Sequence, residues 1–355
     1  MSGGGGVYYF TDSSYAAKMN HEGEILFYYH AESATDFDRT EVDGNVYYTL
    51  SVAGASHEYP SLTIGTGPIG KCIVLDEKYK TVKVIPALYE TDRTPAGIPV
   101  DQHEFTMLGE DHFLLIGIIG EREYDFPEGV AHSEFGARVG SNVIQEIVND
   151  EVVFEWYSSD HPELYSYATS DYADYFNLNS LFADYAHLNS VQIDPDDGNF
   201  VCSLRNSCCI LKLDRTTGEI LWTLGGKGDQ FGLTEEQKTY YQHHAVPFEG
   251  GLVTVFDNGN NQGRTRIVEY TLDEANKRLV SFREYALEEQ FSVFAGGAQR
   301  LEGEDARYVI GWGGAKGNNA MFSDIDFSTN QVLFEVVRTV ASQYEYVYRA
   351  FRYES

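Results

Sequence analysis

Four short segments of this 355-residue chain carry the side chains best suited to chemistry: Gln102-His103-Glu104-Phe105, His187-Leu188-Asn189-Ser190, Leu204-Arg205-Asn206 and Gln242-His243-His244-Ala245. Each lies at the edge of a strand-like run. A histidine or arginine is expensive to keep at such a place unless an anion or a metal meets it there. Imidazole, with an unperturbed pKa of about 6.5, is largely neutral at pH 7 and serves as nucleophile, general base or metal ligand. Arginine offers a fixed fork of donors to the oxygens of an anion. Two chemistries fit: handling of an anionic group by His103, His187, Arg205 and His243, or a metal centre with the three histidines as ligands. Arg205 speaks against the second, because a fixed cation beside a dication is repulsive.

These segments are far apart in sequence, so a fold must bring them together. One pattern recurs along the chain: an apolar strand, a polar turn, then a strand rich in β-branched and aromatic residues. The copies are AAKMNHEGEILFYYH, CIVLDEKYKTVKVI, QEIVNDEVVFEWY, ILKLDRTTGEILWTL, VEYTLDEANKRLVSFREY and SDIDFSTNQVLFEVV. Their turns fall near His21, Lys78, Asn149, Thr216, Ala275 and Thr329, roughly 54 to 71 residues apart, a spacing that suits one multi-stranded unit per repeat. The expected fold is all-β: a six-bladed β-propeller over residues 7–355, with each copy as the outer hairpin of a four-stranded blade. Gly218 supplies the positive φ that the turn Asp214–Gly218 needs. Phe27, Trp156, Trp222 and Phe334 should pack between neighbouring blades. The runs between hairpins, such as NVYYTLSVA and GGLVTVFDN, become inner strands that line the axis, and they carry the unusual polar residues.

Two stretches interrupt the repeat. Residues 158–185 are polar and aromatic and read as partly helical; residues 234–245 open as a short helix capped by Thr234. Insertions on one face of a repeat fold usually build its binding site. The opening MSGGGG reads as a flexible leader or cloning scar outside the fold. Ring closure requires the strand Val7–Phe10 to complete the final blade or lie beside it, with Val347–Tyr353 as the strand after the last repeat. If Arg205-Asn206 is a two-residue hairpin turn, Cys202 faces Cys209 and Cys208 pairs with Ser203. The four cysteines, Cys72, Cys202, Cys208 and Cys209, read as buried thiols, with a 202–208 or 202–209 disulfide as the alternative.

Composition narrows the partners. A net charge of −30 disfavours nucleic acid and anionic membranes. An anionic substrate needs a local cluster of cations, which salt screening makes reachable. The longest apolar run, Phe113–Ile119, is far too short to span a bilayer as a helix. Gly225-Gly226-Lys227-Gly228 lacks the spacing of a phosphate loop. Asp257-Asn258-Gly259 reads as a tight turn that shapes the site.

The stretch from Ala186 to Asn261, with its His-Leu-Asn-Ser, Gln242-His243 and Phe256-Asp257-Asn258-Gly259, resembles the bacterial aryl sulfotransferases. These enzymes move a sulfuryl group between phenols without a nucleotide donor. Along the rest of the chain the resemblance is thinner but continuous in kind. It implies that His243 is the nucleophile, forming a sulfohistidine in a ping-pong reaction. It further implies that His187, Arg205 and His103 hold sulfuryl oxygens or shuttle protons. Where the family pattern has Asp after the nucleophilic histidine, this chain has His244. Asn189, Gln242, His244 and, for stacking on a phenol, His57 and Tyr59 are the substrate-binding candidates. Aryl sulfates and phenols are the implied partners, and neither cofactor nor metal is required. No signal-peptide pattern opens the chain, although the resemblance is compatible with export behind a processed signal. The contrasting expectations are the metal-dependent propeller and a non-catalytic propeller that binds an extended partner.

Overall fold

The computed structural model describes residues 5–12, 14–31, 34–53, 70–177, 182–287, 290–316, 320–339 and 346–354. Six four-stranded antiparallel sheets form a β-propeller. The second to sixth blades run from the axis outward in chain order. They begin with the strands Ala34–Val42, Phe105–Gly109, Leu188–Ile193, His243–Phe248 and Gly297–Arg300. All six expected hairpins are the outer two strands of a blade. The outermost strands alternate partly buried and exposed residues, as in Ile25–His30, which fits a sheet edge on the rim.

One apolar cluster fills each of the six blade interfaces among the described residues. The aromatics after the outer turns sit in them as expected. Phe27 stacks on Tyr79 of the next blade with centroids 3.8 Å apart, and Phe334 stacks on Tyr8 across the closure at 4.6 Å. Trp156 and Trp222 are buried between the third and fourth and the fourth and fifth blades. Gly218 has φ 76°, and Asp214 Oδ1 accepts the Thr216 and Thr217 amides, completing that turn.

The ring closes with the N-terminal strand beside the final blade, the second of the two expected arrangements: Tyr8 packs on Phe322 and Phe334. The C-terminal strand Ala350–Glu354 is the innermost strand of the first blade, and it pairs antiparallel with Gly6–Thr11. The N-terminal strand therefore does not complete the final blade; the C-terminal strand completes the first, and pairing begins at Gly6 rather than Val7. Both terminal strands share one sheet, which gives the first blade four strands like the other five. Arg349, just before this strand, reaches Glu104 at 2.8 and 3.0 Å and Asp36 at 3.1 Å, tying the closure to the second and third blades. Deleting residues 1–10 removes the strand between Ala350–Glu354 and Tyr15–Asn20. It should lower the melting temperature by several degrees and expose an aggregating edge. Deleting residues 1–5 should do neither. Equal melting of the two truncations in a thermal scan would contradict this closure.

Two local expectations are corrected. Arg205–Cys208 form a four-residue turn, with Leu204 opposite Cys209 and Cys202 opposite Leu211, so Cys202 faces neither candidate partner. All four cysteines are free and buried, and burial pushes the Cys208 thiol up to about 11. Residues 234–237 make a single hydrogen-bonded turn, not a helix. Arg266 takes the carbonyls of Glu236 and Lys238, and the Tyr270 hydroxyl takes that of Gln237. The acceptors a helix would use are thus bonded to the fifth blade. The stretch 158–185 does hold helical turns, at Ser158–Asp160 and Glu163–Tyr167.

Candidate functional site

The inner strands of the fourth and fifth blades open with matching bulges. Pairing skips Asn189 between Leu188 and Ser190, and skips His244 between His243 and Ala245. A bulge bends the strand and re-aims its side chains. Beside the bulges, His187, Tyr241 and His244 take φ of 57°, 57° and 49°. Non-glycine residues in this region cost about 1–3 kcal/mol each and cluster at functional sites.

At this end of the axis lies a cavity of about 710 Å³ that gathers His103, His187, Arg205 and His243. All four are buried. The remaining wall combines the aromatic side chains of Tyr172, Phe182, Phe294, Tyr346 and Tyr348 with the carboxylates of Asp171, Asp174 and Asp184. His103 and His187 meet edge to face with centroids 5.1 Å apart, and Tyr348 stands edge to face against both His103 (5.7 Å) and His243 (6.2 Å).

Hydrogen bonds fix the state of each histidine. Asn258 Nδ2 donates to the carbonyls of Ser292 and Ala295, both at 2.9 Å, so its Oδ1 faces His243 Nδ1 at 2.7 Å. Nδ1 of His243 must therefore carry the proton, and Nε2 keeps a lone pair. Burial, followed by the nearby Arg205 guanidinium, pushes His243 well below the ordinary histidine range, while the Asn258 bond opposes this more weakly. His187 Nδ1 lies 2.6 Å from Asp184 Oδ2, and its Nε2 has no partner among the described residues. His103 Nδ1 bonds Asp101 Oδ1, which also accepts the His103 amide at 2.9 Å. Burial raises the Asp101 carboxyl, but the adjoining His103 outweighs it and holds the carboxyl below its usual range. His103 and His187 thus each have a carboxylate able to stabilise an imidazolium, and His243 has a neutral amide.

Arg205 donates to Tyr172 Oη at 3.0 Å and Asn206 Oδ1 at 2.9 Å, and lies 5.0 Å over the Tyr241 ring. No carboxylate lies within ion-pair distance of it among the described residues. A buried guanidinium without a counter-charge is a standing site for an anion.

Other candidates lie elsewhere. Gln242 is fully buried and donates to Ser203 Oγ and the carbonyls of Leu204 and Cys209, while Asn189 Nδ2 donates to the Gln242 carbonyl at 2.8 Å. They join the fourth and fifth blades behind the cavity rather than lining it. His244 turns to a second cavity at the opposite end of the axis, where Nδ1 accepts the Ala298 amide. His57 and Tyr59 lie outside the described residues. Glu104 is engaged by Arg349 and by the amides of Val191 and Gln192. Among the described residues no group of three or more His, Cys, Asp or Glu side chains stands as a metal-ligand set.

Sequence reading missed Asp101, Asp184, Tyr172 and Tyr348, and read Asn258 only as part of a turn. Asp101 and Asp184, two and three residues before their histidines, carried a local signal. Tyr348 carried none, since it reaches the axis only through the closing strand.

Among solved structures, a protein of unknown function from Bacteroides caccae is similar along the whole length. It shares 13% identity over 99% of this chain and 100% of that one, with a TM-score of 0.55, and shows the fold alone. The Dos1 propeller (12% identity, 95% and 70% covered, TM-score 0.42) and a chain of a nidogen/laminin complex (10%, 98% and 98%, 0.49) are too distant to add to it. No curated protein matches in sequence. The sequence model of the arylsulfotransferase (ASST) family spans residues 7–349, which takes in all but the closing strand of the six blades and every residue of the histidine–arginine cluster. This chain belongs to the arylsulfotransferase (ASST) family.

Proposed function

We propose that the protein transfers a sulfuryl group from an aryl sulfate to a phenol in two steps through His243. Membership of the family supports aryl sulfotransferase activity in general. The observation that carries the finer reading is the pairing, in one cavity, of a neutral His243 with a buried Arg205 that has no carboxylate partner among the described residues.

In the first step His243 Nε2 attacks sulfur in line. The N–S bond forms as the S–O bond to the leaving phenolate breaks, and the phenolate takes a proton from the His103 or His187 imidazolium. Arg205 and Tyr172 donate to the sulfuryl oxygens, whose charge is spread in the transition state. The imidazole becomes a sulfated imidazolium, and its Nδ1–H bond to Asn258 strengthens as that charge develops. In the second step an acceptor phenol gives its proton to the now neutral His103 or His187 and attacks the same sulfur. The N–S bond breaks, and neutral His243 returns. The phenol pKa of about 10 makes these proton transfers useful at neutral pH. The aromatic wall offers stacking faces to donor and acceptor rings in turn.

Without an acceptor, a chromogenic aryl sulfate should release a burst of about one equivalent of phenol and then stall. Because His243 is held neutral below the ordinary range, the acid limb of the burst rate should lie below about pH 6.5. Stopped-flow absorbance across pH reads both. Continuous release with no burst, or an acid limb at or above that pH, would contradict the scheme.

A further inference from the structure

Charge is divided within the catalytic cavity. Inside it, Arg205 has no carboxylate partner among the described residues, while His103 and His187 are each paired with one carboxylate, Asp101 and Asp184. Asp171 and Asp174, from the insertion between the third and fourth blades, also line the cavity, and both are exposed. Asp171 accepts the Tyr241 hydroxyl at 3.1 Å, which holds one carboxylate beside the aromatic wall over Arg205. Among the described residues Arg205 is the only lysine or arginine lining this cavity.

A phenol entering such a cavity meets the exposed carboxylates of Asp171 and Asp174, with Arg205 as the one lining arginine or lysine among the described residues. We infer that the preferred acceptors are phenols carrying a cationic substituent, that is, phenolic amines, and that phenols carrying a carboxylate are disfavoured. This rests on the sulfuryl-transfer reading above and names the acceptor class of the same site. With the ring in the aromatic cavity and the hydroxyl directed at the sulfuryl group on His243, an ammonium on a short chain lies toward Asp171 and Asp174. Transfer goes to oxygen: the phenol oxygen forms the new S–O bond, the His243 N–S bond breaks, and the phenolic proton passes to a histidine. The ammonium has no lone pair and stays unmodified. The donor's own negative charge sits on the sulfuryl group at Arg205, away from the mouth, so donor and acceptor use the two charges separately.

Three acceptors of similar shape test this: para-hydroxyphenyl ethylamine, para-ethylphenol and para-hydroxyphenyl propionate, with one aryl sulfate whose ring carries no further charge as donor. At low salt, kcat/KM should fall in the order cation, neutral, anion, by about two- to fivefold per step, the scale of exposed charge pairs. The spread should shrink as salt shortens the Debye length from about 30 Å to about 3 Å. Intrinsic reactivity differs among the three phenols, so the second readout is the ratio of variant to wild type for each. Asp174→Asn and Asp171→Asn should lower that ratio for the amine and raise it for the propionate. The same ratio for all three charges, or an order unmoved by salt, overturns the inference while transfer to the neutral phenol leaves the sulfuryl reading standing. Transfer to no acceptor overturns both.

Discussion

His243→Ala should release no phenol from an aryl sulfate and pass no sulfuryl group to any acceptor, a fall of about 10⁴-fold or more, as when a covalent nucleophile is deleted. The size of the effect follows from the geometry. His243 Nδ1 is committed to Asn258, whose amide is held by two carbonyls, so only Nε2 is left for chemistry. His103 and His187 are tied through Nδ1 to carboxylates and suit proton transfer rather than a second nucleophilic route. The variant's near-ultraviolet circular dichroism should match wild type, because the strand His243–Phe248 keeps its pairing with Leu252–Asp257. A folded His243→Ala protein with measurable turnover would reduce His243 to a binding residue.

Arg205→Lys should lower kcat by about 10²–10³, the usual effect of removing one preorganised donor to a developing oxyanion. A lysine keeps the charge but loses the planar fork that can hold Tyr172 and an anion at once. The loss should fall mainly on kcat rather than KM if the donor acts on the transition state. Steady-state kinetics with the fold verified reads this directly. Near-wild-type rates would return Arg205 to a turn-forming role in the segment Arg205–Cys208.

The sequence carried the fold through repetition. Six hairpins with polar turns and β-branched second strands mark the outer half of each blade, because each must bury one face against a neighbour. The closure was not legible in the same way. Gly6–Thr11 pairs with Tyr15–Asn20 next in sequence, but Ala350–Glu354 has no neighbour in sequence to pair with, and local pattern does not choose the blade it joins. The Thr234 turn misled for a related reason: its capping signal is real, with Gln237 Oε1 accepting the Thr234 amide, but Arg266 and Tyr270 claim the following carbonyls from a distant strand.

At the site, His103, His187, Arg205 and His243 were legible because polar residues at strand edges stand out, and the structure brings all four into one cavity. Gln242 and Asn189 stood out equally, yet their work is to join two blades. His244 adjoins His243 in sequence, but the bulge sends it to the other end of the axis. Side-chain direction at a bulge depends on register, which single-sequence pattern does not encode.

The most direct measurement is peptide-level mass spectrometry of protein mixed with a chromogenic aryl sulfate and no acceptor, quenched after the phenol burst. The sulfuryl mass should appear on the peptide containing His243 and fragment to that residue. It should disappear on addition of a phenol, with the sulfated phenol formed in its place. A sulfuryl group mapped to His244, or turnover with no protein adduct at all, would contradict the account.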